Sequence, residues 1–357
     1  MIGIRIVLLL SLSLTYCELL FAQNTDAPSI NLLAAEGDQT AVKTKTDWQQ
    51  RKQHILTNMQ IVMGPLPQPK EPVPLGMEVL ERKQLPFGYR RKIRYHTDNP
   101  EQWVHAWLFL PFDKNTPAPA VLCLHQTTRI GKNEPAGLGG KENLHYAYEL
   151  AERGFVTLAP DYPSFGDSLD YDFEADAYVS GTMKAIYDNI RAVDLLQSLR
   201  QVKDDKIGCI GHSLGGHNTM FTAAFEPRIK AMVSCCGYTR FHKYFNGNLK
   251  GWTSSRYMPK IASDYNNDPD RVPFDFPEII GSFAPRPFLS VSPVRDSNFE
   301  VSGVKDSIAA AKPVYELFDA EDNLRVIYPD CEHDFPPEAR ETAYRFFEEV
   351  LGTTKTP

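Results

Sequence analysis

The chain has 357 residues, 42% of them apolar and 23% charged, with a formal net charge of −7. Those proportions lie near the globular average and exclude a disordered, collagen-like or disulfide-knot chain. The acidic balance, with no clustered Lys/Arg stripe, excludes a nucleic-acid binder, whose affinity comes from neutralised phosphates.

In chain order, residues 4–14 are nearly all apolar with Arg5 ahead of most of them, and Leu20-Phe21-Ala22 ends on a small residue before Gln23. This is the pattern of a secretory signal peptide over residues 1–22, cut after Ala22. It implies a secreted or periplasmic protein with no stable membrane insertion after cleavage. The stretch is short for a spanning helix, and Tyr16 is bulky for the position before a lipidated Cys17, so an uncleaved anchor and a lipoprotein stand behind that reading. Residues 23–46 are polar, lack periodicity and read as a flexible lead-in. An N-terminal helix and Pro-rich linker occupy residues 47–76: Trp48, Ile55, Met59 and Val62 fall at mostly helical spacing over residues 48–63, and Gly64-Pro65 ends the run.

The catalytic domain is expected over residues 77–351, with a short tail at 352–357. Three strands over residues 77–82, 89–96 and 103–110 form an antiparallel meander. From residue 118 the pattern changes to short apolar runs at 120–124, 155–159, 207–210, 229–235, 287–291 and 324–328, which alternate with helical stretches at 142–153, 177–199, 214–225, 304–318 and 337–351. That alternation predicts an α/β fold with a mostly parallel central sheet and helices on both faces. One excursion, residues 238–284, interrupts it between the strand ending near Cys235 and the one starting near Pro287, and reads as a cap-like insertion. Five cysteines remain after Cys17: Cys123, Cys209, Cys235, Cys236 and Cys331. Their odd number and mostly apolar neighbours predict buried thiols, with a Cys331 bridge as the alternative. No C-x-x-C or H-x-x-x-H spacing points to a metal site, and the chemistry below needs no cofactor.

The strongest chemical signal is Gly211-His212-Ser213-Leu214-Gly215-Gly216, directly after one predicted parallel strand and directly before a helix. It has the form of a nucleophile elbow. A serine hydroxyl is a poor nucleophile until a base takes its proton. His333 lies in the loop after the last predicted strand, at the carboxyl edge of the sheet where ligand sites gather. A carboxylate must hold that imidazole, and Asp296 follows the preceding strand at the same edge. The order Ser213, Asp296, His333 is the order of α/β-hydrolase triads. His125 ends a parallel strand and is read as shaping a loop, His212 as packing, and His217 has no evident placement. An unperturbed histidine base predicts activity rising between roughly pH 5 and 8.

With Leu124-His125-Gln126-Thr127, Ala159-Pro160-Asp161-Tyr162 and the His333 loop, the chain from residue 118 to 351 resembles α/β-hydrolases of the dienelactone hydrolase and acetyl xylan esterase-like branches. The N-terminal Val62-Met63-Gly64-Pro65-Leu66-Pro67 is similar to exported bacterial members of the latter. The resemblance implies a serine esterase acting through an acyl-enzyme, with short acyl, above all acetyl, esters of carbohydrates as substrate. Many relatives carry His-Gly where this chain has His125-Gln126, which leaves the oxyanion amides as Leu214 with either Thr127 or Gln126. Trp252 and Arg256, in the insertion, are the candidate substrate contacts. A peptidase or thioesterase using the same triad is the alternative enzyme, and a binding protein on this fold the alternative from another class. The oligomeric state is left open.

Overall fold

A computed structural model describes residues 30–353, apart from 36, 38, 39 and 113–115. The expected signal peptide therefore lies outside the described residues, as does most of the tail. Nine strands are described: β1 (Glu78–Leu85), β2 (Gly88–Tyr95), β3 (Val104–Pro111), β4 (Ala118–Leu124), β5 (Val156–Pro160), β6 (Val202–His212), β7 (Ile229–Cys235), β8 (Phe288–Val291) and β9 (Leu324–Ile327). They form one sheet in the order β1-β2-β3-β5-β4-β6-β7-β8-β9. β1, β2 and β3 are antiparallel and β3 joins β5 antiparallel, whereas β4 to β9 pair in parallel.

The helices are α1 (Lys45–Met63), α2 (Tyr146–Glu152), α3 (Gly181–Ser198), α4 (Leu214–Phe225), α5 (Lys260–Ser263), α6 (Phe276–Phe283), α7 (Val301–Leu317) and α8 (Pro337–Leu351). Alternation along the strands assigns them to faces. In β4, Ala118, Ala120, Leu122 and Leu124 enter the core beneath α1, α3, α4, α6 and α7, while Val121 and Cys123 enter the core beneath α2 and α8. Every residue of β4 and β5 is buried, as expected of central strands covered on both sides. Among the described helices none is long and apolar enough to cross a membrane.

Two segments depart from expectation. The described part of residues 23–46 is docked, not free: Leu32 and Val42 are buried, and the buried guanidinium of Arg51 donates to the carbonyls of Leu32, Ala34 and Thr40. This is a tertiary contact that local polarity could not announce. The predicted helix at 142–153 begins only at Tyr146, after a 3-10 turn at Glu142–Leu144. By contrast α1 starts where a capping box forms, with Thr44 and Asp47 exchanging side-chain to backbone hydrogen bonds. It packs on α6, where Gly281 leaves room for the Trp48 indole.

Residues 238–284 belong largely to the main core. Tyr238, Phe241, Met258, Phe274, Phe276 and Ile280 are all buried in it. A capping box at Asp275 and Glu278 starts α6, which packs against α4 and α7. The rest of the segment forms two 3-10 turns, Tyr244–Gly247 and Leu249–Trp252, and these border the site described next.

Candidate active site

β6 runs directly into α4 through Ser213, whose φ of 54° and ψ of −116° are rare for a residue with a side chain. Its amide donates to the Cys235 carbonyl at 2.9 Å, which ties the turn to β7. The flanking glycines are required by close approach rather than by their own dihedrals. A Cβ at Gly211 would overlap the carbonyl of Gly215, one at Gly215 would overlap the carbonyl of Leu124, and one at Gly216 would stand 2.7 Å from the Gly237 Cα. The chain can pass from strand to helix this tightly only without those carbons. Ser213 is left at the start of α4, where the first amides of the helix have no intrahelical partner and favour negative charge.

The loops after β8 and β9 bring Asp296 and His333 together. His333 Nδ1 donates to Asp296 Oδ2 at 2.8 Å, and the Asp296 side chain is 2% exposed. The other carboxylate oxygen accepts the amides of Asn298 and Phe299, so Asp296 is held by its own loop. The His333 ring lies 4.7 Å from that of His212, the residue preceding Ser213, and 6.0 Å from that of Phe299. Burial opposes the charge on His333, but the Asp296 hydrogen bond and the neighbouring Cys236 push it up to about 9. The Cys236 thiol is itself raised well above its ordinary value by burial, so it is neutral in this range, and Asp296 supplies the negative charge. That direction, set by the Asp296 contact, points to a rise of activity more alkaline than the pH 5 to 8 expected of an unperturbed histidine. Asp334, the other carboxylate beside His333, instead accepts from Asn143 at 2.6 Å.

The loop after β4 is braced from below. His125 is buried and kept neutral by that burial; its Nε2 accepts the Tyr162 amide at 2.9 Å, which leaves Nδ1 to donate to the Gln126 carbonyl at 2.6 Å. Both nitrogens are committed, so this ring shapes the loop. Further along, the fully buried Lys132 ammonium meets Asp161 at 2.6 Å, and Asp161 also accepts the Lys132 and Asp167 amides. Breaking such a pair would strand a buried charge at a cost of about 3–5 kcal/mol. The Gln126 side chain donates to Glu134 at 3.0 Å.

A cavity of about 200 Å³ opens beside Ser213, lined by Thr127, Leu214, His217, Tyr244, Phe245, Gly251, Trp252, Tyr257, Asn298 and Phe299. Of the predicted residues, Ser213, Leu214, Thr127 and Trp252 meet here, and Asp296, His333, Gln126 and Arg256 are not among the lining. The Arg256 guanidinium lies over the Phe165 ring at 4.5 Å and donates to the Ser164 hydroxyl at 2.8 Å, contacts that hold it against the loop after β5. His217, to which the sequence alone gives no placement, also borders the cavity. It stands four residues after Ser213 on α4, and that spacing on a helix was the signal that could have found it. Burial drives its pKa down to about 3. Among the described residues, one grouping could be considered for a metal: His212, Cys236 and His333, whose ligand atoms lie within 4.8 Å of one another. His333 is already committed to Asp296 through Nδ1.

The sheet order, the serine between β6 and α4, and the carboxylate and histidine after β8 and β9 define an α/β-hydrolase. More particularly, the chain belongs to the prolyl oligopeptidase family of S9 peptidases, whose sequence model matches residues 143–354. It is 30% identical over 265 residues to Putative hydrolase YtaP of Bacillus subtilis (strain 168), covering 71% of this chain and 85% of that one. Among solved structures, the glucuronoyl esterase from Solibacter usitatus superposes with a TM-score of 0.73 at 18% identity, covering 91% of this chain and 99% of that one. A putative acetyl xylan esterase from Bacteroides fragilis NCTC 9343 gives 0.64 at 18% identity, covering 84% and 79%. At such identities these two likenesses speak for the fold. The protein is a hydrolase of this fold and family.

Proposed function

We propose that the protein is a serine esterase that works by acyl transfer. The observation that carries this reading is the 2.8 Å contact of His333 with the buried Asp296, the His333 ring standing 4.7 Å from that of His212 in the strained elbow that holds Ser213. In the first step the Ser213 hydroxyl oxygen bonds to the ester carbonyl carbon while His333 takes the hydroxyl proton. The bond to the alcohol then breaks, and the departing alkoxide leaves with that proton. Water repeats the sequence on the acyl-enzyme, which releases the acid and restores Ser213. Asp296 keeps the imidazole in the tautomer that presents Nε2. The amides of Leu214 and Thr127 are the oxyanion donors we favour, because both residues border the cavity with Ser213 whereas Gln126 does not.

The substrate we propose is a short acyl ester, acetyl above all, of a carbohydrate, and export through residues 1–22 fits that use. The small cavity supports the short acyl group, since drug-sized ligand sites typically run to ~300–1,000 Å³. The family membership favours a peptidase as second reading. Against it, the cavity lining contains no Asp or Glu to receive a peptide amino group. Labelling by a serine-directed fluorophosphonate, abolished in Ser213→Ala, together with hydrolysis of p-nitrophenyl acetate over peptide p-nitroanilides, tests this function. A preference for peptide anilides would replace it with the second reading.

A further inference from the structure

Resting on the reading that the cavity beside Ser213 receives substrate, we infer that it selects an uncharged, hydroxyl-bearing sugar ring, with His217 as the residue that recognises a ring hydroxyl. The inference begins with two polar groups that the fold leaves unused. His217 is 5% exposed and Trp252 3% exposed; the Gly237 backbone carbonyl serves one ring nitrogen of His217, and the other, like the indole Nε1 of Trp252, has no hydrogen-bond partner among the described residues. Buried polar groups are almost always paired, so each such orphan calls for a ligand or a water. Both rings border the cavity that Ser213 borders, and their centroids stand 4.7 Å apart. The Gly237 backbone lies near His217 and favours its charged form, but it can face only one of the two ring nitrogens.

The chemistry of these groups specifies what they can bind. An indole N–H donates only and so requires an oxygen acceptor. With its one N–H committed to the Gly237 carbonyl, a neutral imidazole offers its other nitrogen as an acceptor, which a ring hydroxyl meets by donating. Tyr257 and Thr127, with hydroxyl oxygens 3.3 Å apart, add further oxygen partners on the same wall. Between these polar points stand the faces of Tyr244, Trp252 and Phe299, suited to the apolar face of a ring. A trimethylammonium group or a plain aryl ring would satisfy the faces and leave the orphan nitrogens unmet. No Lys, Arg, Asp or Glu belongs to the lining, so nothing there compensates a charged substituent, and a uronate carboxylate would be desolvated without a partner. The volume of about 200 Å³ admits one such ring rather than a stretch of polymer.

The test separates this inference from the esterase reading beneath it. Binding of methyl β-xylopyranoside and of glucuronate to Ser213→Ala protein is measured by calorimetry, which needs no turnover. The neutral glycoside binds more tightly by at least about tenfold, the scale of one or two hydrogen bonds. His217→Phe, which keeps a ring of similar shape, weakens glycoside binding about tenfold, and His217→Gln restores most of it. On otherwise wild-type protein, His217→Phe lowers kcat/KM for acetylated methyl xyloside about tenfold more than for cyclohexyl acetate, mainly through KM. Equal binding of glucuronate, or unchanged glycoside binding in His217→Phe, overturns the inference whether or not the enzyme cleaves esters. Absence of any Ser213-dependent ester turnover, with glycoside binding intact, overturns the esterase reading instead.

Discussion

The two flanks of Ser213 carry buried histidines of opposite character. On the flank formed by the loops after β8 and β9, His333 is held up to about 9, and on the cavity flank His217 is driven down to about 3. His212, which precedes Ser213, lies well below its ordinary value. Burial opposes protonation in all three rings, so burial does not distinguish them. What distinguishes them is one carboxylate: Asp296 meets His333 at 2.8 Å, and no Asp or Glu borders the cavity at His217. The same fold thus raises the basicity of one imidazole and lowers that of another.

Removing the reacting groups should break the first flank outright. Ser213→Ala is expected to lower ester kcat by about 10⁶-fold with a circular dichroism spectrum like wild type, since triad members act as a unit. Asp296→Asn should lose about 10⁴-fold, while Asp334→Asn, whose carboxylate serves Asn143 instead, should lose less than about tenfold. Comparable losses at both carboxylates would move the acid assignment.

The pH profile sharpens the contrast. The base works only when neutral, so a folded-state pKa raised above 6.5 moves the rising limb of kcat/KM toward an apparent pKa of about 9. Residual activity of Asp296→Asn should rise at lower pH, because the group that stabilises the imidazolium is gone. A wild-type limb centred at or below pH 6.5 would contradict the geometry. Stability runs the other way at the two rings that burial keeps neutral. His212 and His217 are kept neutral in the fold, so the unfolded chain binds more protons below pH 6.5. Each then withdraws up to about 1.4 kcal/mol per pH unit as the solution is acidified. Urea unfolding between pH 7 and 5 should show this loss, and His217→Gln should flatten it.

The elbow joins the flanks and gives the next effect. In Gly215→Ala the new carbon meets the Leu124 carbonyl, a backbone atom that cannot rotate away. A loss of about 2–4 kcal/mol in unfolding free energy is expected. An unchanged midpoint would mean that the β6 to α4 turn is looser than described.

How much of this was legible beforehand follows from the range of the interactions. The two-residue alternation of β4 and the glycines around Ser213 are local signals, and both were readable as a central strand and an elbow. The order of Ser213, Asp296 and His333 along the chain was enough to bring the last two to one edge, because parallel strands place their following loops together. The basicity of His333 was not readable, since it depends on a carboxylate 37 residues away and on burial. Nor was the docking of residues 30–35, which rests on one buried arginine, or the placement of His217, whose ring meets that of Trp252 only in the folded chain. The insertion's aromatic residues were ambiguous for a physical reason: the same segment fills the core with Phe274 and Phe276 and walls the cavity with Tyr244 and Trp252.

The smallest expected effect concerns Arg256, a cation close to the cavity yet outside its lining. Its guanidinium stacks on Phe165 at 4.5 Å and donates to Ser164, and its carbonyl accepts the Tyr162 hydroxyl at 2.6 Å. Truncation leaves the carbonyl in place, so only the stack and one hydrogen bond are lost, about 0.5–1 kcal/mol for each. For a domain of this size that corresponds to a fall in Tm of roughly 1–3 °C. Because the side chain borders the β5 loop instead of the substrate, Arg256→Ala should change kcat/KM for p-nitrophenyl acetate and for acetylated xyloside by the same factor, within about twofold. Thermal unfolding and the two rate constants, measured on one preparation, decide it. A selective loss on the sugar ester, with Tm unchanged, would return Arg256 to the substrate and show that the cavity flank carries a charge after all.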